Sequence, residues 1–417
     1  MNKSFLKTLG PGILFASTAI GVSHLVQSTR AGATYGFAML IFVVAANLFK
    51  YPFFEYGTRY AAATGKSLID GYDKLGKWML GIYFLISLSS MFFVMAAVGF
   101  VTAGFMENLF GIESPTNMAY LSSLILLVIC TVILALGKYK LLDNLIKVVG
   151  GVMLVSTLIA FVAVLVKGAA APQVNFFDNS LITKDSLPFI IALMGWMPTA
   201  VDLSTWNSLW TIEKIKTSGY KPTVKEAVLE FNLGYWISAL LSICFITLGA
   251  FLVFGTDTIM PDSKAKFAAQ TVDLYTTSIG QWSYFIIAAA AFSIMLGTSI
   301  GVLDGYARSM SRTSLLLFSF KENKRNYTIW LCITALGGLL IISLFLKNLK
   351  ALVDLATTIS FLIAPFIAII NFKLVTSKDF DENARPNLMM RVLSWAGIVF
   401  LSGFSIFYIY YLFFLKV

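Results

Sequence analysis

The chain has one histidine, His24, set in an apolar run that opens Leu9-Gly10-Pro11-Gly12 and passes Gly21, Val22 and Ser23. A second run opens Leu187-Pro188 and reaches Trp196, Met197, Pro198 and Thr199, with Asp202 just beyond. In each, a proline near the start is followed ten residues later by a residue that weakens a helix: Gly21 after Pro11, Pro198 after Pro188. Proline in a helix interior removes a backbone hydrogen bond and clashes with the preceding turn, and glycine costs helix stability too. The freed backbone groups need partners, so a broken helix in a membrane is tolerated only where protein or a water-filled cavity supplies them. Ionisable groups at such depth are costly and point to function. The spacing therefore predicts a central site at two interrupted helices, with His24 as its main polar contact. Asp202 could pair with His24, relay protons or cap the second half of its helix. The structural alternatives are a simple kink at Pro198 and a neutral His24 imidazole bonded to a neighbouring helix.

Further hydroxyls come from Ser204 and Thr205, and from the small-residue run Gly297-Thr298-Ser299-Ile300-Gly301, with Asp304 one turn on. Thr298, Ser299 and Asp304 could hold a coupling cation, although small residues also let helices pack closely. Trp196 and Met197 read first as packing, and Asp354 is a buried acid with no assignable partner.

The elements that must position these residues follow from composition. Of 417 residues, 58% are hydrophobic and 12% charged, about half the charged share of a soluble domain. Eleven stretches meet the length of a spanning helix: 9–31, 34–57, 78–106, 118–136, 143–166, 186–207, 228–255, 281–307, 327–346, 350–373 and 391–415. This excludes a soluble enzyme, a disordered tail and an outer-membrane barrel, whose strands alternate over about ten residues. The net charge of +10 reads as the positive-inside bias of cytoplasmic loops, not as a nucleic-acid surface. With the N-terminus inside and the C-terminus outside, 21 Lys and Arg lie in inside segments and 8 outside, while Lys50 and Lys147 fall within spans. Cys130, Cys244 and Cys332 sit in apolar runs without paired spacing, so they read as core residues. The N-terminal segment resembles a signal peptide, but no cleavage site follows it and it is kept as a span.

Neither break carries a carboxylate cluster of the kind a hard dication needs, and His24 with Met197 is a thin set for a transition metal. Half-helix N-termini favour anions, so the expected cargo is a small anion or neutral solute. No Walker, metalloprotease or nucleophile-elbow motif stands in a usable context. Five spans separate the starts of the two broken ones, so the second five-helix unit is inverted relative to the first, the arrangement that marks a transporter's central site.

The stretch from Gly10-Pro11-Gly12 through Gln27-Ser28-Thr29-Arg30-Ala31-Gly32-Ala33 resembles the first helix of the natural resistance-associated macrophage protein (Nramp) family of divalent-metal transporters. Met197-Pro198-Thr199 resembles that family's Met-Pro-His motif, and Thr64-Gly65-Lys66 after the second span matches as well. Where the family has its metal-binding aspartate, proline, glycine and asparagine, this chain has Gly21, Val22, Ser23 and His24. The metal-binding methionine is kept as Met197, the histidine is Thr199, and the alanine whose carbonyl faces the metal is Met194. The magnesium-transporting relatives retain the aspartate that this chain lacks.

The resemblance implies an all-α polytopic membrane protein with a LeuT-like inverted 5+5 repeat, helices 1 and 6 broken, working by alternating access. Residues 1–167 are expected to form the first repeat, 186–373 the second, and 391–417 the eleventh helix. The expected activity is secondary transport of a small inorganic anion, bicarbonate as the specific choice, coupled to Na⁺ or H⁺. Gly21 to His24 and Trp196 to Thr199 would bind the substrate, with Asp202, Thr298, Ser299 and Asp304 serving the coupling ion, and no bound metal or cofactor. The alternatives are a divalent or soft metal-ion transporter with an altered site, and a non-transporting sensor or scaffold. The expected setting is the plasma (inner) membrane, with the lipid bilayer and no nucleic acid as partner and the oligomeric state left open.

Overall fold

The computed structural model describes residues 8–112, 115, 118–137, 139–258, 260–319, 324–345 and 348–415. Lys3, Lys7, Lys138, Lys321, Lys347 and Lys416 of the charge count lie outside them, as do the Lys140, Lys147 and Lys324 side chains. The described residues are mostly helical, with no strand among them.

The first span is built in three pieces. Helix α1 (Pro11–Ala19) starts on its proline, where the missing N–H has no helical partner to lose. It stops at Ile20-Gly21, and a π-helical segment, Ser23–Ser28, leads into α2 (Thr29–Tyr35). Next come α3 (Leu40–Thr64), the short α4 (Leu68–Leu75), α5 (Lys77–Phe110), α6 (Leu121–Ala135) and α7 (Tyr139–Lys167). The sixth span is again divided. Helix α8 (Leu187–Gly195) opens on Pro188, seven non-helical residues include Pro198, and α9 (Leu203–Ser218) resumes. The remaining elements are α10 (Val224–Leu252), α11 (Lys264–Ile279), α12 (Tyr284–Phe318), α13 (Lys324–Leu344), α14 (Leu349–Thr376) and α15 (Leu388–Tyr410).

Among the described residues, six helices are long and apolar enough to cross a membrane: α5, α10, α12, α13, α14 and α15, the last with its π-helical extension. Leu121–Ala135 and Leu154–Lys167 are shorter apolar helices. Helix α3, which carries Lys50, Glu55 and Arg59, and the two divided spans complete the eleven expected from hydropathy. Helices α4 and α11 are the additional pieces, and both start from polar turns. Ser67 and Asp70 cap α4 reciprocally, Ser67 N–H donating to Asp70 Oδ2 at 2.9 Å and Asp70 N–H to Ser67 Oγ at 3.3 Å.

Lipid-facing surfaces expose large apolar side chains, as α15 does with Leu388, Val392, Trp395, Val399 and Ile406. Inside, the broken first span packs on α10 backbone to backbone. A Cβ on Gly12 would sit 2.5 Å from the Glu230 carbonyl oxygen, and one on Gly234 would strike the Gly12 carbonyl. Higher up, Gly32 faces the Ile246 carbonyl and Gly249 the Thr29 carbonyl in the same way. Small residues at these crossings bring the divided helix against a continuous one. Glu230 of α10 then accepts from the free N–H groups of Gly10 and Gly12, each at 2.9 Å, and so caps α1.

Candidate functional site

At the first break, the freed backbone groups are met by nearby hydroxyls. Ser23 Oγ donates to the Ala19 carbonyl at 2.6 Å, and Thr298 Oγ1, from α12, donates to the Ser17 carbonyl at 3.1 Å. His24 is fully buried, and its ring meets α10. Its Nε2 lies 2.8 Å from the Ser238 carbonyl and its Nδ1 2.7 Å from Ser23 Oγ, with Phe245 edge-on at 6.2 Å. A carbonyl can only accept, so Nε2 carries a proton. His24 and Asp202 do not pair as the sequence allowed: both His24 nitrogens are committed to serines, and Asp202 accepts from Tyr306 Oη at 3.1 Å. Tyr306 is packed in turn on Trp206, ring centroids 4.6 Å apart.

The second break is satisfied by a single charge. Lys50, fully buried on α3, directs its Nζ into the α8–α9 connection and donates to four carbonyls. These are Met194 at 2.9 Å, Gly195 at 2.9 Å, Met197 at 3.0 Å and Thr199 at 2.8 Å. An ammonium has three N–H donors, so four oxygens surround it as they would a small ion, with at least one proton shared. The end of α8 thus presents carbonyl oxygens converging on a positive charge. Asp202 stands at the N-cap of α9, where a carboxylate already complements the positive end of that half-helix.

Between the two breaks lies a small cavity with about 20 Å³ of water-accessible space, room for about one water. Val22, Ser23, Trp196, Thr199 and Thr298 line it, together with apolar residues of α5 such as Val94 and Val98. These five expected site residues are therefore brought together. Met197 is buried behind them, its Sδ 3.9 Å from Ser28 Oγ, and the Trp196 indole donates to Ser360 Oγ at 2.8 Å. Gly21 packs against Thr298, and Pro198 lies in the α8–α9 connection. Ser299 turns from Thr298 towards α5, sharing a 2.8 Å hydrogen bond with Thr102. Asp304 lies outside the cavity lining, ion-paired with Arg308 at 2.8 Å and accepting from Tyr327 at 2.7 Å and the Trp210 indole at 3.1 Å. Thr205 Oγ1 donates to the Asp202 carbonyl at 2.7 Å, and Ser204 accepts from Asn371 at 2.9 Å.

Two features escaped the sequence reading. Asp354 does have partners: Arg30 grips it at 2.7 and 3.1 Å, Gln27 donates to it at 2.9 Å, and Arg30 stacks on Phe189 at 5.0 Å. This cluster ties α2, α8 and α14 together. Lys50 is the other, and its signal was visible as a lysine alone in the middle of an apolar span. Among the described residues, no group of three His, Cys, Asp or Glu side chains is placed to hold a metal ion.

Residues 12–411 match the family model described as natural resistance-associated macrophage protein-like. An uncharacterized protein of Pasteurella multocida (strain Pm70) is 35% identical over 405 residues, covering 96% of this chain and 91% of that one. In fold, the chain is similar to a crystal structure of a manganese transporter mutant of Eremococcus coleocola, with TM-score 0.73, 14% identity, and coverage of 96% of this chain and 85% of that one. It is also similar to MhsT in complex with L-phenylalanine, with TM-score 0.65, 15% identity, and coverage of 94% and 98%. The fold is that of the Nramp and LeuT-fold transporters, all-helical with spans one and six broken. Over nearly its whole length, the chain belongs to the Nramp family of multi-pass membrane transporters.

Proposed function

We propose that this protein is an alternating-access secondary transporter whose cargo is a metal cation, taken up at the paired breaks of the first and sixth spans. The observation that carries this reading is the convergence of the Met194, Gly195, Met197 and Thr199 carbonyls on one positive charge. Carbonyl rings of this kind replace the hydration shell of a cation. An anion at the same point would meet oxygens, and at the start of α9 it would meet the Asp202 carboxylate. The bicarbonate expectation rested on half-helix N–H groups and loses its physical ground here. Membership of the Nramp family and the manganese-transporter neighbours also favour the metal alternative.

With no carboxylate cluster beside it among the described residues, the cation would be held by carbonyls, the hydroxyls of Ser23 and Thr199, and the soft Met197 thioether. Coupling to H⁺ or Na⁺ is part of the reading, with Asp202 and its Tyr306 partner as the proton-carrying pair. So are a plasma-membrane setting and a cytoplasmic N-terminus, supported by the Lys and Arg bias of the loops. The test is uptake into proteoliposomes of Mn²⁺ beside labelled bicarbonate, each with and without a Na⁺ or pH gradient. Gradient-driven Mn²⁺ uptake is expected. Bicarbonate uptake without Mn²⁺ transport would overturn the cation reading.

A further inference from the structure

We propose that Lys50 is a tethered cation: its ammonium occupies a built cation site at the α8–α9 break, and a free cation can use those carbonyls only when that ammonium is absent or withdrawn. Calling this the cargo's position rests on the cation reading above. The tethering itself rests on geometry alone. Lys50 is fully buried on a different helix from the carbonyls it serves, 144 to 149 residues away in sequence. Its four N···O distances span 2.8 to 3.0 Å, and among the described residues no carboxylate is within ion-pair distance of its Nζ, Asp202 acting on it only through space. Its direct partners are thus peptide dipoles at and just beyond the C-terminal end of α8, where a cation is favoured.

An ordinary buried lysine would be paired with an acid. This one takes the place that an ion takes in a broken-helix transporter, where unwound carbonyls coordinate the coupling or cargo ion. Two consequences follow. With the lysine seated, α8, the break and α3 are locked to one another next to the small cavity lined by Trp196 and Thr199. Loading of the site then requires that α3 and the break move apart, so Lys50 competes with the cargo and sets which state of the cycle is stable when no cargo is bound.

The site is tested by truncating the tether and returning the charge in solution. Purified Lys50→Ala in detergent is unfolded by heat in methylammonium chloride and in tetramethylammonium chloride at equal ionic strength. Methylammonium reproduces the end of the lost side chain; tetramethylammonium has no N–H donor and is too bulky for the cage. The expected result is a midpoint several degrees below the unmodified protein in tetramethylammonium, with more than half the loss restored by methylammonium. The unmodified protein should respond alike to the two salts. Equal midpoints for the variant in both salts would overturn the proposal, because a merely space-filling lysine stem is not replaced by a small cation.

Lys50→Ser is the second variant for the same comparison. Recovery of folded variant only with methylammonium present counts as the same rescue, and failure of both variants in both salts overturns it. Mn²⁺ added to Lys50→Ala separates the two ideas. Stabilisation of the variant beyond that of the unmodified protein supports the cargo assignment. Methylammonium rescue with no response to Mn²⁺ keeps the tethered cation and removes manganese as cargo.

Discussion

Gly21 stands where the resemblance places the family's metal-binding aspartate, and its surroundings set what can be put back there. An added Cβ would lie 2.7 Å from Thr298 Oγ1, 2.8 Å from Thr298 Cγ2 and 3.2 Å from Thr298 Cβ. Threonine is β-branched and stiff at χ1, and its hydroxyl is already donated to the Ser17 carbonyl at 3.1 Å, so it cannot swing aside freely. Gly21→Ala should therefore destabilise by about 1–3 kcal/mol, the usual cost of overpacking. Thr298→Ala alone loses one hydrogen bond, about 1 kcal/mol. In the double variant the two closest atoms are gone, leaving only the 3.2 Å approach of the residue-298 Cβ. Its total cost should fall short of the sum of the single changes by about 1–2 kcal/mol, the size of coupling seen between touching residues. Equilibrium unfolding of all four proteins in mixed micelles, followed by circular dichroism, measures the cycle. Costs that add to within about 0.5 kcal/mol would refute the claim that Thr298 walls off Gly21. The same wall faces Gly21→Asp, so returning the family's aspartate requires trimming Thr298 first.

His24→Ala should lower stability by about 2–5 kcal/mol, since it opens a buried gap and removes the second donor of the Ser238 carbonyl. His24→Gln, which can still donate towards Ser238, should recover part of that loss in thermal unfolding; equal midpoints for the two variants would contradict the hydrogen-bonded role. The Arg30–Asp354 pair, which joins α2 to α14 at 2.7 Å, is expected to gate the cavity. In a background with Cys130, Cys244 and Cys332 replaced, Ser23→Cys should react with a polar thiol reagent several-fold faster once Asp354→Ala is added. An unchanged labelling rate would show that the pair does not gate the cavity.

The amino-acid sequence determined the spans and the positions of the two interruptions. Each is a local property. Apolar length decides whether a segment crosses a bilayer, and a glycine or proline weakens the helix in which it stands. Pro11, Gly21, Pro188 and Pro198 are legible for that reason, and the small run around Thr298 announced close packing before its partner was known. The groups that meet at the two breaks were not legible. The sequence displays half-helix N-termini and a histidine, which together suggested an anion. Packing turned His24 towards Ser238 and brought Lys50 against four carbonyls beyond position 190.

Asp354 is similar, since its guanidinium partner lies 324 residues away. Hydropathy and helix-breaking are written over a few neighbouring residues. Which oxygens converge, and on what charge, depends on how distant helices cross, and only the tertiary structure decides that.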